Sequence, residues 1–263
     1  MYRFMASLLL LASSQSILAQ EQNFDMSELE IELANPLAYL PLVPLQLNYN
    51  FAHDDSTVVN TVSRFQPVFA LNSDQWTFVN RFIAPYITSE TTKELVTTQA
   101  SGFGDVTYQL YITPKHTSGV ILGGGFLLSM PTGMGDTISS GKWGAGPTFS
   151  IISATPMFTM GALLYQNWSI AGDNDRAEVN LLTIQPIFSY RLGNLWSISP
   201  FNDITLDSTL DGQKWNVPLG LQVSKLLVRP FVPLQLTAGV FSNVISPKNA
   251  PDWSMKFQMT LIL

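Results

Sequence analysis

Apolar and polar residues alternate along most of the chain with a period of two. The clearest run, Asp105 to Ile112, reads DVTYQLYI and places valine, tyrosine, leucine and isoleucine on one face. The C-terminal run from Trp253 to Leu263 alternates in the same way. This pattern predicts β-strands with one apolar and one polar face. At about ten residues, the runs are roughly twice the usual strand length and match what a tilted strand needs to cross a bilayer.

About twelve such segments follow one another, and their connections alternate between short turns and longer polar loops. Leu192 to Leu195 is one of the short turns, whereas Thr88 to Gly102 and Pro131 to Ser140 are long loops. An even strand count with this alternation predicts a transmembrane antiparallel up-and-down β-barrel, an all-β fold with both ends on the side of the short turns. The predicted strands are 44–52, 58–71, 75–87, 103–113, 118–130, 141–153, 156–170, 178–191, 195–207, 213–227, 231–242 and 252–263.

The tryptophans support the barrel, because each lies near the end of a predicted strand and in outward register. Two would lie at the rim of the short turns and four at the opposite rim, as in the aromatic girdles of membrane barrels. The alternative is a secreted soluble β-sandwich with six core tryptophans. They are Trp76, Trp143, Trp168, Trp196, Trp215 and Trp253.

Prolines inside the predicted strands argue against uninterrupted ladders, because proline has no amide hydrogen to donate and a closed barrel has no edge strand. Bulges or water in the lumen would have to compensate for the missing bonds. The prolines concerned are Pro67, Pro85, Pro147, Pro186, Pro200 and Pro218.

The N-terminal part of the chain does not follow the strand pattern. Residues 1–19 combine Arg3, a leucine run and a small residue, Ala19, at a suitable cleavage point, which predicts a secretory signal peptide. Residues 20–43 form a separate segment before the barrel of residues 44–263. Within that segment, Ser27 to Ala34 has a helix-like start, and Asn35-Pro36 would end it. The segment either plugs the lumen as a short helix or forms a flexible acidic leader.

Composition and charge narrow the possible functions. The 263 residues carry 13 lysines and arginines against 19 aspartates and glutamates, a net charge of −6, which argues against nucleic acid as a partner. The chain has no cysteine, so a disulfide scaffold, a thiolate metal site and a thiol nucleophile are all excluded.

No catalytic constellation is visible in the sequence. The two histidines are His53 and His116, and His53 lies beside Asp54, Asp55 and Ser56 in one short loop. A catalytic triad needs groups that converge from different directions, so a solvated loop is the better interpretation. We therefore predict no enzyme activity, no cofactor and no metal site.

Charged residues of the strands fall in inward register, where they avoid lipid. They either pair and fill the lumen structurally, or they line a polar conduit that selects solutes by size and charge. The candidate lumen or substrate-path residues are Arg64, Arg81, Asp105, Gln109, Lys142 and Arg191.

A series of short motifs resembles the MetA-pathway of phenol degradation family, some of whose members carry the label "neuromedin U". The resemblance implies an outer-membrane β-barrel, often described as a transporter, with hydrophobic or aromatic compounds as cargo. Its one departure is the last residue, Leu263, where such barrels usually have the aromatic residue read by the assembly machinery. The motifs, in order, are LANPLA (33–38), PLQLNYNF (44–51), GFGD (102–105), GKWGAGP (141–147), AGDNDR (171–176), QPIFSY (185–190) and PDW (251–253).

Together these observations predict a porin-like outer-membrane channel or transporter for small molecules in a Gram-negative bacterium. Its partners would be outer-membrane lipid, a small-molecule solute and the barrel-assembly machinery. The alternatives are an outer-membrane enzyme, or a non-conducting structural barrel with a filled lumen. The substrate and the oligomeric state are not encoded in any recognisable pattern.

Overall fold

The computed structural model describes residues 26–37, 40–53, 57–93, 96–115, 119–228, 232–248 and 250–263. The predicted signal peptide and His116 lie outside the described residues, as does the side chain of His53.

The described residues form one helix and fifteen strands. The helix is α1 (Met26–Leu33). The strands are β1 (Leu42–His53), β2 (Thr57–Phe65), β3 (Val68–Asn72), β4 (Trp76–Lys93), β5 (Val96–Phe103), β6 (Val106–Pro114), β7 (Val120–Met130), β8 (Lys142–Ala154), β9 (Phe158–Gly172), β10 (Asn180–Gly193), β11 (Trp196–Phe201), β12 (Ile204–Asp207), β13 (Trp215–Leu227), β14 (Leu234–Ile245) and β15 (Trp253–Ile262).

The fifteen strands build a closed barrel with twelve strand positions, which we call staves. Three of these staves each consist of two shorter strands in succession. The breaks lie between β2 and β3, between β5 and β6, and between β11 and β12. Each stave is antiparallel to its neighbours, and β15 pairs with β1 from Leu42↔Ile262 to Phe51↔Trp253, which closes the ring. The predicted fold class, a twelve-stranded antiparallel barrel, is confirmed.

One predicted loop is wrong. Residues 88–102 are not a loop, because β4 continues to Lys93 and β5 returns from Val96, with paired residues from Tyr86↔Phe103 to Lys93↔Val96. This extension is rich in threonine and serine on both faces. A hairpin that projects beyond the barrel has no apolar face, so the period-two contrast that marks the other strands is lost.

The barrel wall separates two kinds of side chain. The exposed large hydrophobic residues include Leu45, Leu47 and Phe257 on the outer surface, and their neighbours in sequence, such as Asn48, point inward and are buried. All six tryptophans lie at or near strand ends in outward register, as predicted. Lys225 also faces outward, near one rim, and its Nζ lies 5.1 Å from the ring centroid of Trp196.

Most of the in-strand prolines coincide with irregularities in the ladders. Pro67 lies in the break between β2 and β3, where its carbonyl accepts a 3.0 Å hydrogen bond from the Phe82 amide. The register of β13 shifts at Pro218, and that of β11 shifts around Pro200. The ladder between β10 and its next stave also pauses between Ile184↔Ile204 and Tyr190↔Ile198, a stretch that contains Pro186. Breaks and bulges therefore absorb the missing donors.

The two ends of the barrel differ, and we name them by their connections. The turn end carries the short turns, such as the one after Gly193, and the loop end carries the longer segments, such as residues 131–141. Helix α1 lies inside the turn end. Its Leu29, together with Leu37 beyond it, packs in one apolar cluster with the inward-facing Leu42, Val68 and Ile262. Among the residues that the structure describes, no helix is both long and apolar enough to span a membrane.

Candidate functional site: the barrel lumen

The larger cavity of the lumen lies toward the loop end and has a volume of about 440 Å³. We call it the outer cavity. One part of its lining is apolar, and the rest carries asparagines together with Arg64 and Asp203. The apolar part consists mainly of Val62, Ile83, Pro85 and Ile87 on the adjacent strands β2 and β4, with Leu127 on β7.

A chain of hydrogen-bonded side chains crosses the lumen below the outer cavity. Arg81 Nη1 donates to Gln185 Oε1 at 3.1 Å, and Arg81 Nη2 donates to Gln66 Oε1 at 2.6 Å. Gln66 Nε2 in turn donates to Gln46 Oε1 at 3.0 Å. Because β4 and β10 are five staves apart in a ring of twelve, the contact between Arg81 and Gln185 joins opposite walls. We call this group the crossbar.

A second cavity, of about 200 Å³, lies between the crossbar and α1. We call it the inner cavity. Its lining includes the four crossbar residues, and Leu33, Ala34 and Pro36 contribute on the side of the helix. Asn35 ends the helix, because its Oδ1 accepts a 3.0 Å hydrogen bond from the Leu37 amide and turns the chain. Leu37 is thereby buried, with 3% of its surface exposed, against the wall of the barrel.

Helix α1 carries the Glu30 carboxylate into the turn end of the lumen. Glu30 is buried, and its Oε1 has no hydrogen-bond partner among the described residues. Burial raises the pKa of the Glu30 carboxyl above its ordinary value, and the positive charges of Arg191 and Lys225 offset part of that rise.

The middle of the lumen holds more positive than negative charge. Arg64 lines the outer cavity, and Arg81 and Lys256 line the inner one. Lys256 interacts electrostatically with all of Arg64, Arg81 and Asp203, so the four charges form one group. In this group Asp203 is the one carboxylate, and it lies in the break between β11 and β12.

Asp105 has a different task, because it holds the loop of residues 131–141. Its Oδ1 accepts hydrogen bonds from the Gly133 amide at 2.9 Å and the Ser139 hydroxyl at 2.7 Å. Its Oδ2 accepts from the Ser140 amide at 2.8 Å and the Ser140 hydroxyl at 2.6 Å. Arg176 secures the same loop through an ion pair with Asp136, at 3.3 Å between Nη1 and Oδ1. Since Asp105 lines the outer cavity, the loop is fastened at the mouth of that cavity.

The structure places the other predicted lumen residues apart from the central group. Gln109 lies beside the outer cavity but is fully buried. Its Oε1 accepts a hydrogen bond of 3.4 Å from the Tyr111 hydroxyl. Lys142 is 5% exposed and pairs with Glu178 at 3.0 Å near the loop end. Arg191 lies near the turn end and donates to the Thr155 carbonyl at 2.7 Å and the Thr159 hydroxyl at 2.8 Å. The solute-path role of all six predicted residues stays a prediction.

Sequence reasoning ranked several central residues too low. Lys256 and Gln185 occupy inward register in clear period-two runs, so alternation alone was sufficient to find them. Inward register also predicts a lumen position for Asp203 and Gln66, although the structure places both in breaks between strands. Glu30 carried no signal beyond its position in a short acidic helix.

Within the described ranges, no three histidine, aspartate or glutamate side chains lie close enough together to hold a metal ion.

Comparison with solved structures agrees with this architecture. An outer membrane channel from Pseudomonas putida F1 superposes with a TM-score of 0.63, covering 85% of this chain and 95% of that chain at 13% identity. This protein has the fold of an outer-membrane β-barrel. The beta domain of the Bordetella autotransporter BrkA gives a TM-score of 0.49 at 12% identity, covering 86% of this chain and all of that chain.

Sequence comparison adds no family assignment. No family model matches the chain, and no curated protein matches it either. The resemblance to the MetA-pathway of phenol degradation family therefore stays a prediction.

Proposed function

We propose that this protein is an outer-membrane channel for small molecules whose lumen is closed at the turn end by α1. The observation that carries the proposal is the division of the lumen. The outer cavity of about 440 Å³ and the inner cavity of about 200 Å³ are separated by the crossbar, and α1 bounds the inner cavity. Side chains and a docked helix can move without any change in the barrel wall, so this lumen suits a gated conduit.

The position of α1 supports its role as a plug. The helix has only eight residues and is held mainly by Leu29 and Leu37, which are 2% and 3% exposed. Burying two leucines contributes about 3–6 kcal/mol, an amount that a moderate competing interaction can overcome. In a membrane the turn end would face the periplasm, so the plug would close the channel from that side.

The apolar part of the outer cavity supports a cargo with hydrocarbon character. Its volume lies within the roughly 300–1,000 Å³ range of small-molecule sites, which also combine apolar walls with a few polar groups. The hydrophobic or aromatic cargo suggested by the family resemblance is compatible with this lining. Outer-membrane lipid around the wall and the barrel-assembly machinery complete the proposed set of partners.

A liposome-swelling assay with sugars of graded size tests the channel. The full chain should admit small sugars slowly, and the double variant Leu29→Gln with Leu37→Gln should admit them several-fold faster because glutamine weakens docking of the helix. Leu210→Gln, at an exposed loop position, is the matched control and should behave like the unmodified chain.

Absence of swelling with both the full chain and the double variant, although each inserts as a folded barrel, would refute the conduit. That result would favour the alternative of a structural barrel with a filled lumen.

A further inference from the structure

The central charges are not balanced by the protein. Arg64, Arg81 and Lys256 face one carboxylate, Asp203, so basic side chains outnumber acidic ones by two in the middle of the lumen. The chain as a whole carries a net charge of −6, so this excess is a local feature. Asp105 lies outside this group, since its two oxygens accept hydrogen bonds from the loop of residues 131–141 and not from the three basic side chains.

Arg64 and Lys256 flank the same strand from opposite sides. In the ladder of β1, Gln46 pairs with Arg64 and Asn48 pairs with Lys256. Strands are spaced about 4.8 Å apart, so the two backbones lie roughly 10 Å apart and both long side chains can reach a ligand between them. Within the described part of the chain, neither side chain makes a hydrogen bond or an ion pair.

Arg81 is positioned by neutral partners. Its hydrogen bonds go to the amide oxygens of Gln185 and Gln66, which orient the guanidinium without neutralising it. A guanidinium has five N–H donors, so further donors remain for an anion. The crossbar therefore holds a charged fork at the boundary between the two cavities.

The apolar part of the outer cavity begins beside this cationic group. Arg64 pairs with Pro85 of the neighbouring strand, and Val62 and Ile83 continue the same lining. A ligand that places an anionic group at Arg64 would therefore lay its hydrocarbon part against these side chains. Two basic side chains and a guanidinium fork match a carboxylate well.

We propose that the middle of the lumen is a binding subsite for small organic carboxylates, with Arg64, Arg81 and Lys256 around the carboxylate and the outer cavity around the hydrocarbon part. This inference rests on the proposed channel function, because the solute would reach the subsite along the conduit. It names the substrate class as amphipathic organic anions.

Two measurements on the full chain test the subsite. The first is equilibrium binding of benzoate and of benzyl alcohol to the detergent-solubilised protein by titration calorimetry; the two probes share a ring and differ in charge. Benzoate should bind, and benzyl alcohol should bind at least about tenfold more weakly, which corresponds to about 1.4 kcal/mol. The second is the reversal potential in planar bilayers under a KCl gradient, measured with the Leu29→Gln and Leu37→Gln double variant so that current flows.

Charge-neutralising variants locate the effect. Arg64→Gln combined with Lys256→Gln should weaken benzoate binding at least about tenfold and move the reversal potential from anion preference toward zero. Lys115→Gln combined with Lys214→Gln removes the same number of positive charges from a turn and a loop outside the lumen and should change neither quantity.

The outcomes separate the subsite from the channel. Current without anion preference, or equal binding of benzoate and benzyl alcohol, would overturn the subsite and leave the channel standing. Benzoate binding without any current would support the subsite and count against the channel. A loss of binding in the Lys115 and Lys214 control would also overturn the subsite, because net charge alone would then explain the effect.

Discussion

At the residue scale, inward-facing charges that look equivalent in the sequence have different roles. Asp105 and Lys142 are engaged by a loop and by Glu178 near the loop end. Arg64, in the same inward register, has no such partner among the residues that the structure describes. These side chains differ in the groups that reach them from distant segments of the chain. A charged group that is already hydrogen-bonded or ion-paired is occupied, whereas one without such partners is available to a ligand.

Asp105→Asn should release the loop of residues 131–141. The asparagine amide replaces an acceptor by a donor, so one of the two sets of hydrogen bonds is lost and the rest lose their charge assistance, at a cost of about 2 kcal/mol. We expect higher conductance and faster proteolysis within the loop. Asp211→Asn, in another loop at the same end, is the control and should leave conductance and proteolysis unchanged.

At the element scale, the sequence predicts the strands that have lipid on one side and the lumen on the other. It does not predict the elements that lie outside the barrel wall. The hairpin of residues 88–102 was predicted as a loop because both its faces are polar. Helix α1 was predicted only as one of two alternatives, because an eight-residue helix is not stable without the tertiary contacts that dock it. Leu29 holds the helix in place because it packs against apolar residues of the barrel wall.

Helix α1 should close the channel more firmly as the pH falls. Burial raises the pKa of Glu30 in the docked helix, so the docked state binds a proton more tightly than the released state. Docking is therefore favoured below the raised pKa and is lost as the pH rises through it. The conductance of the full chain should decrease as the pH is lowered from about 8 to about 5.

Glu30→Gln provides the check on this pH effect, since it mimics the protonated carboxyl. The variant should stay closed across the whole range, and Glu90→Gln, on the projecting hairpin, should titrate like the unmodified chain. An unchanged pH response in Glu30→Gln would show that another group controls the helix.

At the scale of the whole molecule, closure of the ring is what gives every strand two neighbours. The first and last strands pair over ten residues, from Leu42↔Ile262 to Phe51↔Trp253. A closed ring leaves no edge and creates the lumen, so the barrel and the proposed conduit depend on the same contact. Most of the prolines within the staves are tolerated because they lie at a break, a pause or a register shift of a ladder.

Met259→Pro should prevent closure, because Met259 is paired with Leu45 on one side and Leu236 on the other. The lost ladder bond leaves a partner unsatisfied at about 1–3 kcal/mol, and the ring adds distortion in both ladders. The folded species that migrates differently before and after boiling in gel electrophoresis should disappear. Met259→Ala keeps the amide donor and should retain that species; if both variants fold, closure tolerates more than we infer.

The sequence by itself determined the number of staves, the alternation of apolar and polar residues along them, and the position of the tryptophans. The reason is local: each strand has lipid on one face and the polar lumen on the other, which imposes a period of two. The sequence could not determine which charges are compensated. Arg81 and Gln185 are 104 residues apart and meet across the lumen, and Asp105 meets Ser140 only when a loop folds back. Such contacts depend on the curvature of the closed ring, so only the tertiary structure decided where the lumen is bridged and where its positive charge remains free.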